Sequence, residues 1–550
     1  MAITNNFKTV LILIVLSFIF FFAGNNILSL TNPDEVFYSQ TAKEMMQQKS
    51  WAVPYLFGQP QFEKPVLTYW LMRIGFQLFG VTNFSARFFP ALFAAMGVIA
   101  VYLLALFGLK DRSKAMISAL VLMSAAFYIG MARTVFTDMI FSVLVLFSFV
   151  SFFWGFTRKE RKASGIVLFF VFSGLAVLTK GPLGFFIPML AIILFLGFRK
   201  ELNFLFCKYS IWGFLIFLLI SAPWYVLMLK KFGSAFVREF FYNDHIRRIY
   251  EAEHEGNDRW YFYPASMVLG MFPWSIFVFL SFFSLAGRLI KKAAEPVYLF
   301  LACWILITFA VFQVAHSKLT SYILPLFPAL AVITGSLICD LLNSRKRLFF
   351  ILLLISWFMI SLLPIGLIIS SMKYSQYIPS RAPIHNFIVF YAFFLGIALF
   401  LIYRRKLLMA TYLLMFILPM VLFFALSAHK SYEDHVSSKG ACDYLLKNHR
   451  VENTILCSKP FVRGVRFNTD KKVAVINVGG ANFFSPHPIP YLDTLEKVEA
   501  FLKEERRTYC IISKSGLGDI ERIARGKEFK IGVLKIVGNE YIVEVQYSGD

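Results

Sequence analysis

Charged residues are scarce in this chain. Asp, Glu, Lys and Arg make up 16% of its 550 residues, whereas 58% are hydrophobic, including 65 Phe, and the mean hydropathy is +0.66. A soluble domain of this length needs far more polar surface than such a composition supplies. The composition therefore excludes a soluble globular protein and indicates a protein that crosses a membrane several times.

Cysteine is also scarce, and its six positions form neither a CxxC nor a zinc-binding pattern. Cys442, Cys457 and Cys510 follow residue 428, where they leave room for one disulfide and one unpaired thiol. The sequence contains no P-loop, no GxSxG elbow and no dinucleotide fingerprint. It has no repeat and no low-complexity segment, so nothing in it points to a nucleotide-binding or serine-hydrolase site.

The positive charge lies mostly in short connectors between hydrophobic stretches. A net charge of +23 would suit nucleic-acid binding, but this distribution argues against it. Every second connector carries a basic cluster: Lys110/Arg112/Lys114, Arg158/Lys159/Arg161/Lys162, Arg199/Lys200/Lys208, Arg288/Lys291/Lys292, Arg345/Lys346/Arg347 and Arg404/Arg405/Lys406. Because cytoplasmic loops collect Lys and Arg, these connectors are predicted to be cytoplasmic and the others to lie outside.

The hydrophobic stretches predict about 13 transmembrane helices in residues 1–427. They occupy 8–29, 86–109, 115–132, 135–156, 164–179, 182–198, 209–229, 263–287, 296–314, 320–342, 348–371, 384–403 and 408–427. The first resembles a signal peptide, but Gly24-Asn25-Asn26 is a poor cleavage site, so an uncleaved helix is expected. An odd number of spans that begins inside places the N-terminus in the cytoplasm and the C-terminus outside.

Residues 428–550 have a different composition and predict a soluble extracytoplasmic α/β domain, because strand-like runs alternate with helical patterns. The strand-like runs are 454–458, 473–478, 508–513, 531–537 and 541–546, and the helical patterns lie near 435–449, 491–505 and 517–526.

The first outer connector, 30–85, is long and contains two helical patterns. The first covers 33–48, with Asn32 as a potential N-cap and acidic residues in the first turn. The second, 66–80, is apolar but too short to span comfortably, so it predicts an interfacial helix.

Acidic and basic residues of the outer connectors are the candidates for chemistry. Asp34 and Glu35 follow the first span, where a carboxylate also suits helix capping. Glu63 and Lys64 lie in the same connector and would otherwise form a solvated ion pair. Asp138 lies near the outer end of a span, where an acid is costly and is by default functional or paired.

Four further candidates come from other outer connectors. Lys180 lies in a tight turn where it would otherwise extend towards the interface, and His245 follows Asp244. Lys318 and Tyr322 lie in the segment that opens another span from outside. Carboxylates, lysines, a His and a Tyr thus reach one membrane face. This combination suits a site that joins an anionic lipid phosphate to a second substrate. Lysines would bind phosphate oxygens, and a carboxylate would take the proton of an attacking hydroxyl.

At these residues the sequence resembles the integral-membrane GT-C glycosyltransferases that use polyprenyl-phosphate sugars. It is most similar to the lipid A aminoarabinose transferases, with protein O-mannosyltransferases as relatives. The residues that carry the resemblance are 32–35, Tyr38, 44–45, 51–54, 62–65, 69–70, 79–80, Arg87, Asp138, 179–181, 223–225, 245–246, Lys318 and Tyr322. The resemblance covers the membrane part well and the C-terminal part only in kind.

The resemblance implies inverting transfer of a sugar from undecaprenyl phosphate to an acceptor at the outer face of the bacterial inner membrane. The implied acceptor is lipid A, with a protein Ser or Thr as the alternative, in a setting of membrane lipids. Asp34 is then the general base and Asp138 a catalytic residue that helps to position the substrates. The implied substrate-binding residues are Glu35, Lys64, Arg87, Lys180, Lys318 and Tyr322. Glu63 and His245 match positions that hold a divalent metal, zinc, although the reaction does not have to require it.

One position departs from the family pattern. Those enzymes carry Arg two residues after the Asp-Glu pair, where it helps to bind the donor phosphate, whereas this chain has Phe37. The departure puts aminoarabinose in doubt as the sugar and implies a different grip on the phosphate.

Two other classes compete with a transferase. A transporter of lipid-linked substrates should show midplane acids and symmetric halves, whereas here the ionisable residues crowd the outer connectors. A membrane scaffold would bind partners through the C-terminal domain. Transfer of label from undecaprenyl-phosphate sugars to lipid A, to protein or to neither separates these classes.

Overall fold

A computed structural model describes residues 2–253, 255–291, 295–344, 346–373, 382–480, 489–525 and 529–549. Lys292 and Arg345 of the predicted basic clusters lie outside these residues. The chain forms a helical membrane part followed by a domain built on a β-sheet, which confirms the predicted fold class.

The first outer connector contains both predicted helices. After α1 (Ala2–Ser17) and a π-helical turn (Phe18–Phe22) come the elements of this connector: α2 (Asp34–Gln47), a hairpin of β1 (Tyr55–Leu56) and β2 (Gln59–Pro60), and α3 (Leu67–Phe79). The predicted N-cap is wrong. The Asn32 side chain leaves α2 uncapped and donates instead to Ser438 Oγ at 2.7 Å, in the C-terminal domain.

The next hydrophobic stretches form helices at the predicted places. They are α4 (Asn83–Leu109), α5 (Arg112–Met123), α6 (Ala126–Ala132), α7 (Thr137–Thr157), α8 (Lys162–Lys180), α9 (Leu183–Arg199) and α10 (Lys208–Phe236). A π-helical segment, Val237–Ile246, continues α10 into the outer connector and leads to the short α11 (Arg247–Tyr250).

The second half of the membrane part follows the same pattern. Its helices are α12 (Phe262–Gly270), α13 (Ser275–Ile290), α14 (Pro296–Val314), α15 (Phe327–Ser344), α16 (Lys346–Lys373), α17 (Ala382–Tyr403), α18 (Leu407–Met415) and α19 (Ile417–Ser427). A 3₁₀ segment, Thr320–Leu326, leads into α15.

Within the described residues, nine helices are long and apolar enough to cross a membrane. Two bent pairs, α5 with α6 and α12 with α13, bring the number to 11, and two shorter apolar helices, Phe7–Phe22 and Leu183–Arg199, remain. The chain is therefore a multi-pass membrane protein, and the count of 13 spans stays a prediction.

Two of the basic connectors meet at one end of the helical bundle. Lys114 Nζ lies 2.8 Å from Asp340 Oδ1, and Arg288 pairs with the other oxygen of the same carboxylate. Asp340 thus joins the second and eighth connectors to α15. This is expected if the even-numbered connectors all lie on the same side of the membrane.

The C-terminal domain has a mixed six-stranded sheet. Its elements are α20 (Glu433–Val436), α21 (Lys439–Asn448), β3 (Ile455–Ser458), α22 (Val462–Thr469), β4 (Val473–Ile476), β5 (Tyr491–Leu492), α23 (Leu495–Glu505), β6 (Arg507–Ile512), α24 (Lys514–Ala524), β7 (Phe529–Val537) and β8 (Glu540–Tyr547). The strand order is β5-β4-β3-β6-β8-β7, parallel from β5 to β6 and antiparallel at β8 and β7.

The five predicted strands are confirmed, whereas α22 and β5 were not predicted. The disulfide for which the sequence leaves room is not formed, since all six cysteines of the described part are free. Cys457 and Cys510 lie on adjacent parallel strands but in the cores on opposite faces of the sheet. Side chains of a strand alternate between faces, so these two thiols point apart.

Candidate active site

The start of α2 is fixed by a buried ion pair behind it. Arg87, in the first turns of α4, binds Glu35 with two hydrogen bonds, Nε to Oε1 at 2.8 Å and Nη2 to Oε2 at 2.6 Å. The Arg87 and Glu35 side chains are 4% and 1% exposed. The remaining N–H groups of Arg87 donate to the carbonyls of Asn25, Leu28 and Ser29. All five guanidinium donors are thereby used within the protein.

Glu35 is equally occupied. Its carboxylate also accepts from Thr31, both backbone N–H at 3.0 Å and hydroxyl at 2.9 Å, and from the Val135 N–H at 3.1 Å. Asp34, the preceding residue, is exposed at the first position of α2. The adjacent carboxylates therefore have different surroundings: Glu35 anchors the connector, and Asp34 faces the accessible side.

A second group of charges connects the first outer connector with the one after α10. Lys64 Nζ donates to both oxygens of Asp244, at 2.7 and 2.8 Å. Arg248 Nε lies 3.1 Å from the same carboxylate, and its Nη1 donates to Tyr322 Oη at 2.9 Å and to Glu253 at 2.6 Å. Two cations and a phenol thus surround Asp244 in a poorly hydrated site.

Asp138 and Lys180 form a third pair beside this group. Asp138 lies in the first turn of α7, and Lys180 is the last residue of α8. The two side chains are in direct contact and are 6% and 10% exposed. Lys180 Nζ also lies 4.1 Å from the ring centroid of Tyr322. Tyr322 therefore touches both the Asp138–Lys180 pair and the Lys64–Asp244–Arg248 group.

Two buried tyrosines link Asp34 to these groups. Tyr38 lies one turn after Asp34, and its ring centroid is 6.2 Å from that of Tyr69. Burial raises the pKa of the Tyr38 phenol well above its usual value, and the charges of Asp138 and Asp34 act in the same direction. Because both acids act on one phenol, Asp34 and Asp138 lie on the same side of the site.

Glu63 lies in the same part of the site as Tyr69 and Lys64. Loss of hydration raises the pKa of the Glu63 carboxyl, and the charges of Arg463, then Lys64, oppose this effect. The charge of Glu63 also acts on Tyr69. Glu63 therefore lies between the membrane part, which provides Lys64, and the C-terminal domain, which provides Arg463.

His245 packs against the turn that carries Lys180. Its Nδ1 lies 2.7 Å from the Phe240 carbonyl oxygen, and a Cβ added to Gly181 would lie 2.5 Å from Nε2. The imidazole thus fills the space that Gly181 leaves open. Its place in the fold suits positioning of the Lys180–Gly181 turn.

The predicted metal ligands do not form a complete set here. Among the described residues, no group of three or more His, Cys, Asp or Glu side chains could hold a metal ion. Glu63 and His245 supply two donors, fewer than the three protein ligands typical of a catalytic zinc site. The metal assignment stays a prediction.

Lys318 is the predicted residue that is least joined to the others. Its Nζ pairs with Asp258 Oδ1 at 2.5 Å, and His316 Nδ1 lies 2.6 Å from Oδ2 of the same carboxylate. The backbone still brings this segment to the site, since the Ser317 N–H donates to the Arg248 carbonyl at 3.0 Å. Lys318 thus lies at the edge of the site.

Three charged residues of the site were missed from the sequence. Asp244 and Arg248 share a connector with His245, and their spacing of four residues on a helical turn was the available signal. Arg463 had none, because it lies more than 200 residues further along the chain, in a helix that was not predicted. The fold brings these residues close together. The role of each residue in the site is a prediction.

Part of the sequence matches a family profile, and the fold matches solved structures. Residues 6–235 match the family profile described as dolichyl-phosphate-mannose-protein mannosyltransferase. ArnT from Cupriavidus metallidurans, solved bound to undecaprenyl phosphate, matches 97% of this chain and 97% of its own, with a TM-score of 0.79 at 19% identity. The archaeal oligosaccharyltransferase AglB from Archaeoglobus fulgidus matches with a TM-score of 0.57 at 12% identity, over 92% of this chain and 69% of its own. The chain therefore has the fold of ArnT.

Sequence relatives make the comparison more specific. An undecaprenyl phosphate-aminoarabinose arabinosyl transferase from Proteus mirabilis (strain HI4320) is 31% identical over 325 residues, 58% of this chain and 57% of the relative. One from Wigglesworthia glossinidia brevipalpis is 28% identical over 353 residues, 62% and 61% of the two chains. An uncharacterized protein from Aquifex aeolicus (strain VF5) is 32% identical over 340 residues, 62% and 64%.

The sequence matches span 57% to 64% of the length of these relatives. The chain is thus similar in sequence to aminoarabinose transferases over 58% to 62% of its length and has the fold of ArnT over nearly its whole length. The predicted resemblance is confirmed.

Proposed function

We propose that this protein transfers a sugar from a polyprenyl phosphate, such as undecaprenyl phosphate, to an acceptor at the outer face of the bacterial inner membrane. The observation that carries the proposal is the convergence of Asp34, Asp138, Glu63, Lys64 and Arg248 at one end of an ArnT fold. Of these residues, Asp34 is an exposed carboxylate, whereas Lys64 and Arg248 are largely buried cations.

The cations suit the leaving group of such a reaction. Lys64 and Arg248 now share Asp244, and Tyr322 bonds to Arg248, so the phosphate of the donor would find two preformed cations and a phenol. As the sugar–phosphate bond breaks, negative charge grows on the phosphate, and donors held in place before the reaction stabilise it most. Departure then leaves polyprenyl phosphate bound to these cations.

Asp34 suits the role of general base. The oxygen of the acceptor attacks the anomeric carbon as the bond from that carbon to the phosphate oxygen breaks, and the acceptor proton passes to the Asp34 carboxylate. Attack from the face opposite the leaving group gives inversion. The Asp138–Lys180 pair, beside Tyr322, would position the sugar and keep the substrates aligned.

The geometry suggests a different role for Glu35 and Arg87 from the one expected from the sequence. Every guanidinium donor of Arg87 already has an acceptor within the protein, so it has none left for a phosphate. We propose that this pair holds α2 in place and does not bind substrate directly.

The acceptor is lipid A in this proposal, because aminoarabinosyl transferases are the named sequence relatives. A protein hydroxyl is the second candidate, supported by the mannosyltransferase profile over residues 6–235. The N-terminus would lie in the cytoplasm and the C-terminal domain outside, because the basic connectors then face the cytoplasm.

Replacement of Asp34 tests the proposal. Asp34→Asn in purified protein should reduce transfer of radiolabelled sugar from undecaprenyl phosphate by about 10²- to 10⁴-fold, because the base is lost and the shape kept. The matched control is Asp111→Asn, since Asp111 caps α5 at the other end of the bundle and Asn caps equally well. The appearance of label in lipid A or in protein identifies the acceptor. Near-normal turnover of Asp34→Asn would show that Asp34 is not the general base.

A further inference from the structure

One helix of the C-terminal domain reaches into the site. The guanidinium carbon of Arg463, in the first turn of α22, lies over the Phe37 ring at 4.7 Å from its centroid. Phe37 follows Asp34 by three residues and is 4% exposed. A cation from a distant part of the sequence thus stacks on the turn that carries the proposed base.

The close approach of α22 depends on a glycine. Gly464 lies against Asn32, and an added Cβ would stand 2.1 Å from Asn32 Oδ1. A side chain at this position would push the helix away from the residues that precede α2. The absence of a side chain at position 464 therefore sets how near Arg463 comes to Phe37.

Other contacts hold α22 on α2 without using Arg463. Arg466 Nε lies 3.3 Å from the buried Glu44 carboxylate. Lys43 Nζ donates to Asp470 Oδ2 at 2.8 Å and to the Phe467 carbonyl at 3.0 Å. Because residues that follow Arg463 in the chain make all of these contacts, docking of the domain and the presence of Arg463 can be tested separately.

Arg463 also acts on the same carboxylate as Lys64. Its charge influences Glu63 more strongly than that of Lys64 does, although the two cations come from different domains. Lys459, four residues before Arg463 in the chain, lies within reach of its charge as well. The side of the site that faces the C-terminal domain is therefore positively charged.

We propose that Arg463 is a donor-phosphate-binding residue, supplied by the C-terminal domain to complete the cation set of Lys64 and Arg248. This inference rests on the proposed function. A planar guanidinium recognises phosphate oxygens with two parallel hydrogen bonds, and stacking on Phe37 holds that plane in place before the ligand arrives.

Binding of undecaprenyl phosphate to the full-length protein in nanodiscs tests this proposal. Arg463→Met should weaken binding by about 10- to 100-fold, the range expected for hydrogen bonds to a charged group. The matched control is Arg450→Met, because Arg450 is a surface residue of the same domain, 91% exposed. Adding Phe37→Arg to Arg463→Met should restore most of the affinity, which a purely structural role of Arg463 would not allow.

A docking variant separates binding from domain placement. Asp470→Asn removes the partner of Lys43 but keeps Arg463, so it should bind undecaprenyl phosphate normally. Equal losses of undecaprenyl phosphate binding in Asp470→Asn and Arg463→Met overturn the proposal. Unchanged binding of undecaprenyl phosphate in Arg463→Met overturns it as well, also where this variant binds lipid A less tightly. If the wild-type protein binds no undecaprenyl phosphate, the proposed function itself fails.

Discussion

Removal of Arg87 is the most direct test of what holds the site together. Arg87→Ala leaves Glu35 unpaired at 1% exposure and removes the partners of three backbone carbonyls. Breaking one side of a buried ion pair costs about 3–5 kcal/mol, because the remaining charge has neither water nor a counter-ion. We expect a loss of stability of this size, concentrated in the connector that carries α2.

Chemical unfolding in detergent micelles, followed by tryptophan fluorescence, measures the loss, and limited proteolysis shows whether the first outer connector opens first. Arg199→Ala serves as the control, since Arg199 and its partner Glu201 are 33% and 42% exposed. Such a surface pair contributes less than about 1 kcal/mol. The double variant Glu35→Gln with Arg87→Met should be less destabilised than Arg87→Ala, because no buried charge is left alone.

The competing interpretation makes the opposite prediction. If Arg87 binds substrate directly, as expected from the sequence, Arg87→Ala should lower affinity for the substrate, measured with undecaprenyl phosphate, while stability stays near that of the wild type. That result would refute the positioning role, since a guanidinium with five acceptors inside the protein cannot be removed without structural cost.

Two further predictions concern the C-terminal domain. Burial raises the pKa of Glu540 to about 7, and its carboxyl accepts from Ser438, which in turn accepts from Asn32. The folded carboxyl keeps its proton while the unfolded one ionises, so stability should fall by up to about 3 kcal/mol as pH rises from about 4.5 to about 7. Thermal unfolding at pH 5 and pH 8 should show this loss of stability in the wild type and a smaller loss in Glu540→Gln. Equal losses in the two proteins would contradict the role of Glu540. Alkaline phosphatase fused after residue 550 should be active in whole cells if the domain lies outside, and inactivity contradicts the proposed orientation.

The fold class was predictable because membrane proteins place simple demands on sequence. Each span must be apolar over its whole length, and cations collect in alternate connectors, so the helices from Asn83–Leu109 onward match the predicted stretches. Strands such as Val473–Ile476 were predictable from their short β-branched runs. The helix Val462–Thr469 was missed, because it is eight residues long and contains Gly464 and two arginines.

The sequence by itself determined which residue types line the site: it placed Asp34, Glu63, Lys64 and Lys180 in connectors of one parity, and Asp138 near the outer end of a span. Only the tertiary structure decided their partners, since an ion pair depends on which connectors meet in space. It joined Lys64 to Asp244 and Asp138 to Lys180, turned Lys318 towards Asp258, and brought Arg463 onto Phe37. Charges hundreds of residues apart become neighbours only when packing of the apolar surfaces has fixed the distances between them.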